Sequence, residues 1–280
     1  QQGKALSLNP VLVEAYKNIL QQSWDDLSYL SLLLSLPEEN YLAGQMDVVD
    51  VEAIHQAREF VKQSLAEQLQ DQFKALYQKY HKDESGQFDA GAIGRRRIKN
   101  SCLSYLAKLK SQESYQLAEQ QFQTAKNMTD QMAALAVVVD SDIPQKQPCL
   151  ERFYQQWQNE VLVIDKWFAL QASSSATDTF DVVQSLVNHT AFELTTPNRV
   201  RSLIGAFTQA NQLHFHAANG QGYQIEIHPP LKDFPVGDDE LDARRVNEVI
   251  EACVEPHKEQ YLWAHRRFKS RPPGEPSVYK

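Results

Sequence analysis

The sequence predicts a mainly α-helical chain, a superhelix of stacked helix pairs that ends in a small α+β tail. Three observations lead there. Apolar residues recur at intervals of three and four along most of the chain, short polar breaks separate those runs, and the composition changes near Tyr223.

From Val51 to Tyr80 the residues Ile54, Ala57, Val61, Leu65, Leu69, Phe73, Leu76 and Tyr80 repeat at the period of one helix face, which predicts a single long helix. Its other face carries Glu59, Lys62, Glu67, Gln68, Asp71 and Lys74, read as a solvated surface. Shorter runs follow at the same spacing: Ile98, Cys102, Tyr105 and Leu109, then Met128, Met132, Leu135 and Val139, then Val200, Leu203, Ile204 and Phe207. Trp157, Trp167 and Phe168, with Leu150, Phe153, Val161 and Ile164, sit at helical spacing and are expected in the core. Breaks at 82–86, 140–144 and 172–175 hold turn formers and little apolar material, so successive helices are expected to run antiparallel. Many short amphipathic helices joined by tight turns stack most economically as a HEAT- or armadillo-like solenoid, assigned to residues 1–212.

Residues 213–280 are assigned to the tail. The alternation of Leu213-His214-Phe215-His216-Ala217 and Tyr223-Gln224-Ile225-Glu226-Ile227 about a Gly-containing loop predicts a β-hairpin. Seven of the 12 prolines fall within 224–280. One helix is expected from Asp239 to Cys253, opened by acidic residues that suit its positive end and stopped before Pro256.

A composition of 42% hydrophobic and 23% charged residues over 280 residues suits a globular protein, and no stretch approaches the roughly 20 apolar residues of a membrane span. The start, Gln1-Gln2-Gly3-Lys4, has neither an initiator Met nor a signal-like segment, so an excised piece of a longer protein is expected. Cys102, Cys149 and Cys253 are odd in number and widely spaced, which points to a reducing cytosol and away from disulfides or zinc knuckles. A net charge of −8 argues against nucleic acid as a partner.

Chemistry-bearing motifs are scarce. None of the eight histidines begins HExxH, and no P-loop, GxGxxG or GxSxG occurs. His214 and His216 would share one strand face, but a third metal ligand is lacking. His228 and Asp233 match the HxxxxD spacing of some acyltransferases, although a Pro pair between them is a poor frame for a dyad. In the tail, Arg266, Arg267, Lys269 and Arg271 around Phe268, near Trp263, form the one patch suited to anionic lipid or phosphate; the alternative is a solvated surface.

Four ordered blocks carry a resemblance: Arg95-Arg96-Arg97-Ile98-Lys99-Asn100-Ser101-Cys102-Leu103, Asn127 to Leu135 (NMTDQMAAL), Asp165 to Gln171 (DKWFALQ), and Pro197 to Phe207 (PNRVRSLIGAF). From about Asn9 to Tyr223 the chain resembles the C-terminal helical domain of bacterial aminopeptidase N. That resemblance implies a closure domain without catalytic residues or metal of its own. It would pack over the catalytic domain of a zinc aminopeptidase, where the zinc is held, and gate peptide access. It also implies that Arg201 faces the substrate chamber; a surface salt bridge is the alternative. After Gly220-Gln221-Gly222-Tyr223 the chain resembles the C-terminal end of a lipid A lauroyl acyltransferase, through Ile225 to Leu231, Asp242 to Asn247 and Glu259 to Pro272. A chimera is inferred. Two further readings stand beside the closure domain: an acyltransferase fragment working through His228 and Asp233, and a free-standing helical scaffold whose groove binds a protein partner.

Overall fold

The computed structural model describes residues 5–81, 88–219 and 234–254, and within them every regular element is helical. Helices α1 (Pro10–Gln21), α2 (Leu27–Leu33) and α3 (Glu39–Ala43) lead to α4 (Val51–Gln68) and α5 (Gln70–Tyr80). Helix α6 (Ala90–Leu106) runs into a 3₁₀ turn, Ala107–Leu109, which Lys110 closes in the left-handed conformation at φ 51°. Then follow α7 (Gln112–Thr124), α8 (Met128–Val139), α9 (Lys146–Trp157), α10 (Val161–Ala172) and α11 (Thr179–Val187). Helices α12 (Pro197–Val200) and α13 (Ala206–Ala210) continue one another through a π turn at Arg201–Gly205. Last come α14 (Gln212–Asn219) and α15 (Asp239–Val254).

The starts are written in the sequence as side-chain caps. Asn9, Asp26, Asp50, Asp89 and Asn127 each accept a backbone N–H of the first turn they precede, and Ser111 and Ser114 form a reciprocal capping box on α7. Pro10 and Pro197 occupy first-turn positions, where their missing N–H costs nothing.

Packing joins the helices from α1 to α14 around one core. Helix α5 lies on α6, α7 on α8, and α10 on the π turn. Phe73 of α5 stacks on Tyr105 of α6 with ring centroids 4.5 Å apart, Tyr16 of α1 meets the same ring edge-on, and the Tyr105 hydroxyl donates to Leu34 O at 2.7 Å. An added Cβ at Gly94 would stand 2.9 Å from Leu27 Cβ, so α2 and α6 approach backbone to backbone there.

The structure corrects four sequence expectations. The helix expected across 51–80 breaks at Leu69, whose φ of −122° and ψ of 25° separate α4 from α5. Leu65, Leu69 and Phe73 are all core residues on either side of the bend, so the apolar spacing runs on through it. Residues 213–217 are helical, not the first strand of a hairpin: Asn211 caps α14 by accepting His214 N–H at 3.3 Å, and Phe215 packs edge-on against Phe207. His214 and His216 are therefore two residues apart on a helix and do not share a strand face. Val161, expected in the core, is 59% exposed at the first turn of α10, whereas Leu150, Phe153, Ile164, Trp167 and Phe168 are buried as expected.

Helix α15 covers the span expected of the tail helix. Asp238 caps it, and the Asp242 carboxylate accepts from Val236 N and Gly237 N in the preceding turn. The second half of the expected hairpin, His228 with Asp233, and the cluster of Trp263, Arg266, Arg267, Lys269 and Arg271 lie outside the described residues.

Candidate functional site

One polar groove crosses the helical array. Helix α4 supplies its floor, because His55, Arg58, Glu59 and Lys62 recur at the spacing of a single helix face. Lys108 of the 3₁₀ turn, Asp140 after α8, Ser173 to Ser175 after α10 and Asn211 before α14 form the walls. Two adjoining cavities, about 450 and 360 Å³, share Lys62, Lys108, Asp140 and Ser173. Such volumes suit small ligands.

The groove exists because the two ends of the array meet. Gln212 Nε2 donates to Asn40 Oδ1 at 3.0 Å, across 172 residues of sequence, and Asn40 Nδ2 reaches Gln209 O at 3.5 Å. Asn211, buried, donates to Ala172 O and Ser174 O at 3.0 and 2.7 Å and holds the start of α14 against the loop after α10. His214 adds a ring-nitrogen contact to Ser175 O at 3.1 Å.

Charge within the groove is ordered. Lys108 Nζ pairs with Glu59 at 2.7 Å and with Asp140 at 3.5 Å. Burial pulls the Lys108 ammonium down, but Glu59 and Asp140 outweigh it and hold the amine above its ordinary range. Asp140 Oδ1 accepts from Ser175 N at 2.6 Å, Ser175 Oγ at 2.8 Å and Ser174 Oγ at 3.2 Å. Lys62 differs: its Nζ lies 5.7 Å from the centre of the Tyr105 ring and has no hydrogen-bond or ion-pair partner among the described residues. Glu59 and Lys62, expected on a solvated face, are thus groove residues. The amphipathic pattern shows which face of α4 meets the core, but not that α3, α8 and α14 come round to cover the other one.

His55 Nδ1 and Glu39 Oε1 stand 2.9 Å apart and tie α3 to α4 at the groove edge. The hydrogen bond to Glu39 raises the His55 pKa against the opposing effect of burial, and the same bond lowers that of Glu39. The raised His55 contributes stability below its unfolded value of about 6.5 and loses it as pH rises through the folded value. The lowered Glu39 contributes above about 4.3 and loses it as pH falls through its folded value. The tether is therefore strongest between these limits. Hydrogen exchange of α3 amides, corrected for intrinsic rates, should show about 0.2–1 kcal/mol more protection at pH 5.5 than at pH 8.5, and His55→Ala should abolish the difference.

Arg201 does not enter the groove linings. It is exposed on the π turn, with Nη1 3.4 Å from Asn198 Oδ1. The buried arginine of that block is Arg199, whose Nη1 lies 3.3 Å from Asp165 Oδ1 and whose guanidinium stands 5.1 Å from the Phe168 ring centre. Sequence reasoning passed over Arg199, as it did Lys99, because a single charged residue gives no periodic signal of burial. Cys102 and Cys149 are free and buried, and burial pushes the Cys102 thiol up to about 12, far from a reactive thiolate. Among the described residues, no three His, Cys, Asp or Glu side chains gather as metal ligands, so these residues do not fit a zinc site. Among the same residues, no helix is long and apolar enough to cross a membrane.

Similarity to known proteins follows the body of the helical array. The chain is 36% identical over 250 residues to aminopeptidase N of Escherichia coli, covering 89% of this chain and 28% of that protein. It is 35% identical over 225 residues to aminopeptidase N of Haemophilus influenzae, covering 80% and 26%. The crystal structure of Legionella pneumophila aminopeptidase A in complex with aspartic acid superposes with a TM-score of 0.70 at 30% identity, over 79% of this chain and 27% of that one. The chain thus spans about a quarter of the length of these relatives. A segment of 61 residues, 22% of the chain, is 48% identical to the lipid A biosynthesis lauroyltransferase of Escherichia coli and covers 20% of it. The family model described as a domain of unknown function (DUF3458_C) with ARM repeats matches residues 1–227, and the chain belongs to that family of helical-repeat domains.

Proposed function

We propose that this chain is the closure module of a zinc aminopeptidase, packing on a separate catalytic domain and limiting which peptides reach it. The observation that carries this reading is the similarity over 89% of the chain to a protein about three times as long, named aminopeptidase N. A helical-repeat wall with a polar groove and no metal-binding cluster among its described residues supplies shape and charge, while zinc and the catalytic base belong to the remaining part of such an enzyme. In this reading the exposed guanidinium of Arg201 faces the chamber and pairs with a peptide carboxylate.

The test supplies the purified chain to the catalytic part of Escherichia coli aminopeptidase N from which the matching segment has been removed. Expected are co-elution, slower cleavage of long peptides than of aminoacyl anilides, and about a tenfold rise in KM for short peptides with Arg201→Ala. Chelator-sensitive hydrolysis by the chain alone would overturn the reading, as would failure to associate.

A further inference from the structure

We infer that the groove holds a binding site for a small carboxylate with an apolar tail, anchored by Lys62. The site stands on the isolated chain and does not depend on the aminopeptidase reading.

Charge within the groove is left unmatched at one place. Inside the groove each carboxylate already has partners: Glu39 has His55, Glu59 has Lys108, and Asp140 has Lys108 with Ser174 and Ser175. Glu38, the remaining acid of the lining, is exposed at the rim. Of the cations, Lys108 is paired, Arg58 Nε donates to Pro37 O at 2.6 Å, and Lys110 is exposed. Lys62 alone is half-buried without an ion-pair or hydrogen-bond partner among the described residues: it lies over the π cloud of Tyr105 and feels Glu59 and Asp140 only from beyond ion-pair distance. A desolvated ammonium without a counter-anion is costly, and a ligand that brings one regains that cost as affinity.

The surroundings define the rest of the ligand. The 360 Å³ cavity is lined, besides Lys62, by the polar Asn100 and Ser104 and by an apolar wall of Ala133, Ala136, Val137 and Leu170. A single oxyanion on the amine with an aliphatic group against that wall satisfies both surfaces. A doubly charged phosphate would leave the apolar wall uncovered and would meet Asp140 and Glu59.

The charge on Lys62 supplies a second readout. Burial lowers its pKa to about 8, with Lys108 and Arg58 adding to the shift and Glu59 and Asp140 opposing it. The protonated fraction, and with it the affinity for an anion, should fall about tenfold between pH 7 and pH 9. Tyr115, raised by burial, stays neutral over that range, and Lys108, held up by Glu59 and Asp140, stays charged. His55 in the adjoining cavity, raised by Glu39, also loses its proton as pH rises, so the pH series is run on His55→Ala as well.

The experiment titrates the full chain with N-acetyl-leucine, its neutral amide and inorganic phosphate, followed by ¹H–¹⁵N NMR. N-acetyl-leucine should shift the amides of α4 and of Ser173 to Ser175 saturably. The amide and phosphate should bind at least tenfold more weakly, and Lys62→Met should lose the carboxylate preference while leaving distant resonances in place. Should Lys62→Met fail to fold, the pH series on His55→Ala decides. Equal binding of acid and amide, tighter binding of phosphate, or an affinity flat from pH 7 to pH 9 would each overturn the assignment.

Discussion

Replacing Asp130 with Ala should cost about 3–5 kcal/mol in urea denaturation of the chain, because it leaves the Lys99 ammonium buried without its counter-charge. The two side chains are 6% and 4% exposed and meet at 2.6 Å. Asn100 Nδ2 and Asn127 Nδ2 donate to the same carboxylate at 3.0 and 2.9 Å. Gln121 Nε2 donates to Asn100 Oδ1 and to the Asp130 backbone carbonyl, and its Oε1 accepts from the Tyr77 hydroxyl at 2.9 Å. Helices α5, α6, α7 and α8 thus share one buried polar knot. The two halves of the ion pair are not equivalent. Asp130 lies in the first turn of α8, where the helix dipole favours a negative charge, and it keeps two amide donors if Lys99 is removed. Lys99→Met should therefore cost only about 1–3 kcal/mol, near the price of one lost charged hydrogen bond. The double variant Lys99→Met with Asp130→Leu should recover only the part of the Asp130→Ala loss that comes from the unpaired ammonium, since Asn100 Nδ2 and Asn127 Nδ2 lose their acceptor in both. A Lys99→Met variant less stable than Asp130→Ala would refute this ordering.

That knot explains why the sequence resembled a family so clearly while its site stayed hidden. Of the four blocks, the first contributes Lys99 and Asn100 and the second Asn127 and Asp130; the third contributes Asp165 and Phe168 and the fourth Arg199. The recognisable residues pair up across layers as locks of the array. They state which scaffold this is, not what lies in its groove. The helix faces were legible because Ile98, Cys102, Tyr105, Leu135, Leu203 and Phe207 obey the helical period and are buried. The groove was not, because Glu59 and Lys62 look like any solvated i,i+3 pair until Lys108, 46 residues beyond Lys62, and the Asn40–Gln212 contact close over them. Alternation misread residues 213–217 for a related reason. Five residues alternating in polarity satisfy a strand, and only the cap from Asn211 and the packing of Phe215 on Phe207 decide for a helix.

The second lock makes the other large prediction: Phe168→Ala should destabilise the chain by about 3–5 kcal/mol. Phe168 is fully buried, meets Trp167, His189 and Phe192 edge-on at 5.1 to 5.9 Å, and carries the Arg199 guanidinium 5.1 Å from its ring centre. Arg199 Nη1 and Asp165 Oδ1 are buried and make no hydrogen bond despite their 3.3 Å approach, so the ring face bears part of the cation's stabilisation. Truncation to Ala would remove that face together with the volume. Phe168→Leu separates the two effects: it keeps most of the apolar bulk and should cost about 1–2 kcal/mol. In a double-mutant cycle with Arg199→Met, the coupling between Phe168→Leu and Arg199→Met should be about 0.5–2 kcal/mol if the cation rests on the π cloud. Additive losses would show that Phe168 serves as packing alone, and that the third and fourth blocks are joined only by the ion pair of Asp165 and Arg199.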